Sequence, residues 1–134
     1  MRITELLELT KLNTTPLAMV RVENSSVIVD ADDEQEQRIR FVLSPYQALK
    51  MTTADCFSLP AKIVLRPNVV VEVLDSVWIQ QLKHSLSLVD ETATFMTKAR
   101  HFVFPLQDDF LEVVAWGIAE ILVTPDSNPS PPFG

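Results

Sequence analysis

A rhythm of period two through the middle of the chain limits the possible folds more than any other feature. Ala18, Val20 and Val22 alternate with Met19, Arg21 and Glu23, and Ile39, Phe41 and Leu43 alternate with Arg38, Arg40 and Val42. After Ser44-Pro45, Leu49, Met51, Thr53, Asp55 and Phe57 keep the same beat. Successive side chains of a strand point to opposite faces, so this alternation specifies half-buried strands. Asn24-Ser25-Ser26 parts the first run from Val27-Ile28-Val29, the signature of a hairpin. Residues 62 to 65 and 69 to 74, split by Arg66-Pro67-Asn68, add two short β-branched runs. The second of these is apolar on both faces, Val69, Val71 and Val73 against Val70 and Leu74, and must be covered on both sides by helices or by another subunit.

At Asp75 the period lengthens. Trp78, Ile79, Leu82 and Leu86 fall on one face at helical spacing, with Asp75 placed to cap and His84 turned to solvent. A further helical turn or two is expected from Asp90 through Phe95, Met96 and Ala99, and an opening helix from Leu6, Leu7, Leu9 and Leu12 behind Thr4. Phe102, Phe104 and Leu106 alternate with His101 and Val103 as a strand, and Gln107-Asp108-Asp109 breaks it. Residues 110 to 122 fit either type: Phe110, Leu111, Val114, Ile118 and Ile121 make a helical face, whereas Val113-Val114, Trp116 and Gly117 favour strand. The fold expected is α+β: one antiparallel sheet of about six to eight strands, an N-terminal helix, and one or two helices at about 75–99 packed on one face. A chain of 134 residues fits one domain, taken as 1–124, and the four prolines of the last ten residues read as a disordered tail, 125–134.

EVLDSVWIQQL (72 to 82) followed by HFVFPLQDDFLEVVA (101 to 115) resembles a family of small uncharacterised bacterial proteins, cyanobacterial ones among them. In that family a Ser-x-Trp-Ile helix start precedes a closing hairpin of the form His-aromatic-x-aromatic, acidic turn, Glu-Val-Val-Ala. The resemblance covers about a third of the chain, and Pro105 departs from its pattern. It implies a closing β-hairpin with Asp108 and Asp109 at the turn, and it carries no chemistry over.

Candidate chemistry is sparse. His101, Asp108, Asp109 and Glu112 could be brought together by a hairpin, and imidazole with carboxylates suits zinc or non-haem iron. Metal sites need three converging ligands, however, and solvation at a turn accounts for the two aspartates. The acidic run Asp30, Asp32, Asp33, Glu34 and Glu36 fails as a calcium loop, because counting from Asp30 puts Gln35 where glycine belongs and Phe41 where the bidentate glutamate belongs. It reads as a solvated loop. Cys56, the single cysteine, lies on an expected strand as a small buried side chain with no histidine placed to activate it. Two glycines in the whole chain exclude phosphate-cradling loops.

Eighteen acids against eleven bases give a net charge of -7 with no basic stripe, which disfavours nucleic acid, including a sheet face carrying Arg38 and Arg40. Acids at Glu5 and Glu8 interrupt the N-terminal apolar stretch, no segment approaches the ~20 apolar residues that span a bilayer, and the lone cysteine suits a reducing compartment. A cytoplasmic, non-catalytic interaction module is therefore expected, adaptor- or immunity-like, without cofactor. It would meet a protein partner with a basic surface or a second copy through Trp116 and the acidic residues Asp32, Asp33, Glu34 and Glu36. Trp78 belongs to the core. The rival from another class is a small-ligand or metal-dependent enzyme with a cleft between sheet and helix built on His101, Glu112 and Asp55.

Overall fold

The structure is a computed structural model and describes residues 5–57 and 67–123. Among these residues nine strands form two antiparallel sheets: β1 (Glu5–Lys11), β2 (Met19–Glu23), β3 (Ser26–Asp32), β4 (Arg38–Leu43), β5 (Tyr46–Thr53), β6 (Val69–Leu74), β7 (Arg100–Pro105), β8 (Asp109–Ala115) and β9 (Ile118–Leu122). Five of them run in the order β1-β6-β7-β8-β5, and four in the order β2-β3-β4-β9. One α-helix, α1 (Val77–Val89), joins β6 to β7, and short 3-10 turns occupy Ala54–Cys56 and Phe95–Lys98. Among the described residues no helix is long and apolar enough to cross a membrane.

The expected single sheet with an opening helix is thus corrected. Leu6, Leu7, Leu9 and Leu12 belong to an edge strand and its exit, paired with β6 from Glu5↔Leu74 to Glu8↔Val71. The register then slips and resumes at Lys11↔Val69. That irregularity breaks the alternation of the leucines and leaves a spacing that imitates a helix, while pairing with a buried neighbour decides the outcome. Leu12, beyond the slip, is buried in the core. The second helix expected at 90–99 shrinks to the 3-10 turn Phe95–Lys98, and Cys56 stands exposed in the turn after β5 rather than buried on a strand. Residues 110–122 resolve into two strands that part at Trp116-Gly117, β8 in one sheet and β9 in the other. The hairpin implied by the resemblance is present as β7 and β8, with register from Arg100↔Ala115 to Pro105↔Phe110. Thr4, the strand expected at 62–65 and the tail 125–134 lie outside the described residues.

Two sheets exist because the inward faces of both need cover. Val27, Val29, Ala31, Ile39, Phe41 and Leu43 from one sheet meet Val70, Phe102, Phe104, Leu111, Val113 and Ala115 from the other. Phe41 and Phe104 pack edge to face at 5.1 Å between centroids, a favoured aromatic geometry. Burying one such valine or phenylalanine contributes roughly 1.5–3 kcal/mol. The double-sided apolarity of β6 is explained in the same way: Val70 faces the second sheet, while Val69, Val71 and Val73 face outward with Val103 against Leu6, Phe57 and Phe110. Farther along that outer face, Val114 is covered by Ile79 of α1 and by Met96.

Two of the five residues of the acidic run, Asp30 and Asp32, lie in the sheet and not in a loop, while Asp33, Glu34 and Glu36 belong to the turn that follows β3. β3 pairs with β4 through Asp30↔Arg40 and Asp32↔Arg38. The Arg40 guanidinium donates to both oxygens of Asp30 at 2.8 and 3.1 Å, and Arg38 donates to Asp32 at 3.0 Å. Asp33 is buried, and its carboxylate accepts from the backbone N–H groups of Gln35 and Gln37 to shape the turn into β4. Cross-strand pairs of opposite charge stabilise a sheet face and leave neither partner free for phosphate.

Candidate functional site

Two places in the molecule depart from an ordinary sandwich: a buried polar chain under α1, and an open side between two terminal strands. The first begins where β6 ends. Asp75 turns the chain in the left-handed region with φ 55°, and Ser76, not Asp75, caps the helix by accepting from the Ile79 N–H at 3.1 Å. Ser76 Oγ also lies 2.7 Å from His101 Nδ1, and His101 Nε2 lies 2.8 Å from Glu112 Oε1. His101 and Glu112 meet because β7 and β8 are neighbours and both side chains point to the outer face, diagonal to one another across the Val103↔Glu112 and His101↔Val114 pairs. The three residues are only 3–4% exposed.

Lys50 on β5 completes the group. Its Nζ stands 3.6 Å from Glu112 Oε2 and 4.3 Å from the centre of the Trp78 ring, and Trp78 is edge-on to the imidazole at 5.2 Å. One proton arrangement satisfies every atom: the Ser76 hydroxyl donates to Nδ1, Nε2–H donates to Glu112, and the second carboxylate oxygen faces the ammonium. Trp78 therefore lies half-buried over this group, and Lys50 sits on its outer surface.

Serine, histidine and glutamate in one hydrogen-bonded chain are also the parts of a nucleophilic site. A nucleophile must reach its substrate, and this serine is enclosed with an oxygen committed to the helix cap. Cavities of about 160 and 170 Å³ among the described residues lie beside α1, and neither is lined by Ser76, His101 or Glu112. Among the described residues no three His, Cys, Asp or Glu side chains gather as a metal site would need. Of the trio His101, Glu112 and Asp55, the first two meet, while Asp55 is exposed in the Ala54–Cys56 turn. His84 is exposed on α1. The Ser76–His101–Glu112 chain links the N-terminus of α1 to β7 and β8.

The open side has the reverse character. Among the described residues β2 ends one sheet and β5 ends the other, so each carries backbone N–H and C=O groups that face away from its neighbour. At one end the sheets are tied, where the Tyr46 N–H donates to the Ser25 carbonyl at 2.9 Å. Beyond that tie the inner faces are incompletely covered. Val22 shares the face of Val27, and Leu49 and Met51 share that of Val113 and Leu111, so all three point inward. They nevertheless remain 48%, 36% and 48% exposed. At the Met51 end a cavity of about 360 Å³ opens, lined by Leu17, Val20, Met51, Leu106, Gln107 and Asp109 together with Pro16 and Ala18. Binding sites start at roughly 300 Å³. Leu17 and Gln107 hold left-handed backbone at φ 49° and 77°, a conformation that costs a bulky residue free energy and recurs at binding sites.

On the opposite side, where β1 and β9 end their sheets, the Thr10 hydroxyl donates to Glu120 Oε1 at 2.8 Å across the gap. Trp116 follows β8, with Lys98 over its ring at 4.8 Å and Phe95 at 6.5 Å, and its Nε1 is buried with no hydrogen-bond partner among the described residues. Of the acidic candidates, Asp32 and Asp33 are engaged as described, Glu34 stands 3.7 Å from Lys11, and Glu36 is exposed. Sequence reasoning singled out His101 and Glu112 but missed Ser76 and Lys50. The signal for Ser76 was faint, a second capping residue directly after Asp75.

No protein-family model, no curated protein and no solved structure matches the chain.

Proposed function

We propose that the chain is a non-catalytic protein-binding module, of the adaptor or immunity kind, and that it holds its partner along the β2/β5 side. One observation carries this reading: inward-facing apolar side chains of two terminal strands, Val22, Leu49 and Met51, stay exposed. An edge left unpaired among the described residues, beside exposed apolar groups, is an aggregation hazard that proteins cover, charge or use. The net charge of -7 supports a partner with a basic surface. A cytoplasmic setting fits the single cysteine. The enclosure of Ser76 and His101 supports a structural task for the groups that most resemble catalytic ones.

The test is retention of partners by the tagged chain from host extract near physiological salt, with Met51→Asp and Val22→Asp run in parallel. A stoichiometric protein held by the parent chain and released by both variants is the expected result, and a second copy of the chain held in the same way would make the module a homodimer. A partner retained equally by all three chains would place binding elsewhere.

A further inference from the structure

The open side has a chemistry of its own, and it specifies the kind of segment that would fill it. The inner face of β5 presents Leu49, Met51 and Thr53 in sequence, since these pair with Val113, Leu111 and Asp109. Leu49 and Met51 ask for apolar neighbours. Beyond them the face ends at Thr53 beside Asp109, with Asp108 next to it at the hairpin tip. Neither aspartate has an ion-pair partner among the described residues, unlike Asp30 and Asp32 on the other sheet. Asp109 also lines the cavity, together with Gln107. The outer face of β5 differs, because Lys50 occupies it and would repel a cation set beside it.

Resting on the protein-binding reading above, we propose that the β2/β5 side receives an extended segment of a partner protein, added antiparallel to β5 as a further strand. Every strand pair among the described residues is antiparallel, and such pairing is the more stable per residue. In that register a basic side chain lies opposite Thr53 and meets Asp109 and Asp108. Two residues later an apolar side chain lies opposite Met51, and after two more a second lies opposite Leu49. The residues between them face the Lys50 side and are uncharged. The motif is thus basic-x-apolar-x-apolar, read from the N-terminus of the partner segment.

The probe is the peptide acetyl-Thr-Lys-Thr-Val-Thr-Val-Thr-amide, titrated into the ¹⁵N-labelled full chain. Two comparison peptides have glutamate or serine in place of the lysine. Chemical-shift changes are expected at Leu49, Met51, Leu106 and Asp109, with the lysine peptide binding at least about tenfold more tightly than the glutamate one. The double variant Asp108→Asn/Asp109→Asn should remove most of that preference, and raised salt should shrink it, because exposed charges are screened within ~10 Å at 0.1 M. Binding at the same amides with no preference for lysine would overturn the basic motif and leave the protein-binding side intact. Shifts centred on α1 or on the β1/β9 side would overturn the strand-addition site. A chain that binds none of the three peptides while Met51→Asp still releases a natural partner would overturn strand addition alone; no peptide bound and no partner released would overturn both readings.

Discussion

The group under α1 and the side between β2 and β5 invert each other. Under α1, groups that prefer water are buried and every one has a partner: Ser76, His101, Glu112 and, at the margin, Lys50. Between β2 and β5, groups that prefer a core are exposed and lack one: Val22, Leu49 and Met51. A buried polar group stabilises only while its partners stay in place, so the first region has little freedom to do anything but hold shape. Exposed apolar surface on an unpaired edge costs free energy until something covers it. On the proposed reading the first region is architecture and the second is available for work.

The contrast is broken most forcefully at Glu112. Glu112→Ala leaves the His101 Nε2–H without its acceptor in a closed space, and a loss of about 2–3 kcal/mol is expected from urea unfolding. Glu112→Gln keeps an acceptor oxygen and should lose about half as much. A loss under about 0.5 kcal/mol for the alanine variant would mean that the buried group is not holding the helix.

Ser76→Ala comes next. It removes the cap on α1 and the hydroxyl bound to His101, and it should cost about 1–2 kcal/mol in the same measurement. Selective loss of amide-exchange protection in α1, with the sheets unchanged, would show where that stability resides.

A smaller effect concerns acid. The Arg40 guanidinium, by its hydrogen bonds above all and helped by the charges of Arg21 and Arg38, holds the Asp30 carboxyl below its ordinary 3.8 against the opposing effect of burial. A carboxyl whose folded value is depressed stabilises the fold above its unfolded value, and that stability is lost as pH falls through the folded one. Stability should therefore decline below about pH 4, and Asp30→Asn should flatten that part of the curve. An unchanged acid limb in the variant would remove this ion pair from the explanation.

The least effect on stability is expected where the effect on binding is largest. Met51→Thr on the open side should move unfolding by no more than about 0.5 kcal/mol and yet weaken partner retention. A large destabilisation would show Met51 to be core after all and would erase the contrast between the regions.

The sequence made the strands legible wherever burial alternates cleanly, as at Arg38–Leu43, where inward Ile39, Phe41 and Leu43 are buried and the outward residues are not. Legibility failed where a long-range partner overrode the local pattern. The leucines of β1 imitate a helix because of a register slip, and the path of the chain from β8 into the other sheet at Trp116-Gly117 leaves no local mark. Which strand lies at an edge is a property of the whole topology, so exposed Met51 and buried Leu111, directly opposite each other, look alike in sequence. At the polar group, His101 and Glu112 could be picked out as unusual, but their role depended on Ser76 and on enclosure by Trp78, which only the packing reveals.

The most direct test compares a photo-cross-linking residue at Met51 with one at Val77, an exposed position beside the Ser76 cap, in living host cells. A discrete protein adduct at position 51 and none at 77 is the predicted result. An adduct at 77 with none at 51 would contradict the assignment of work to the open side and of architecture to the buried one.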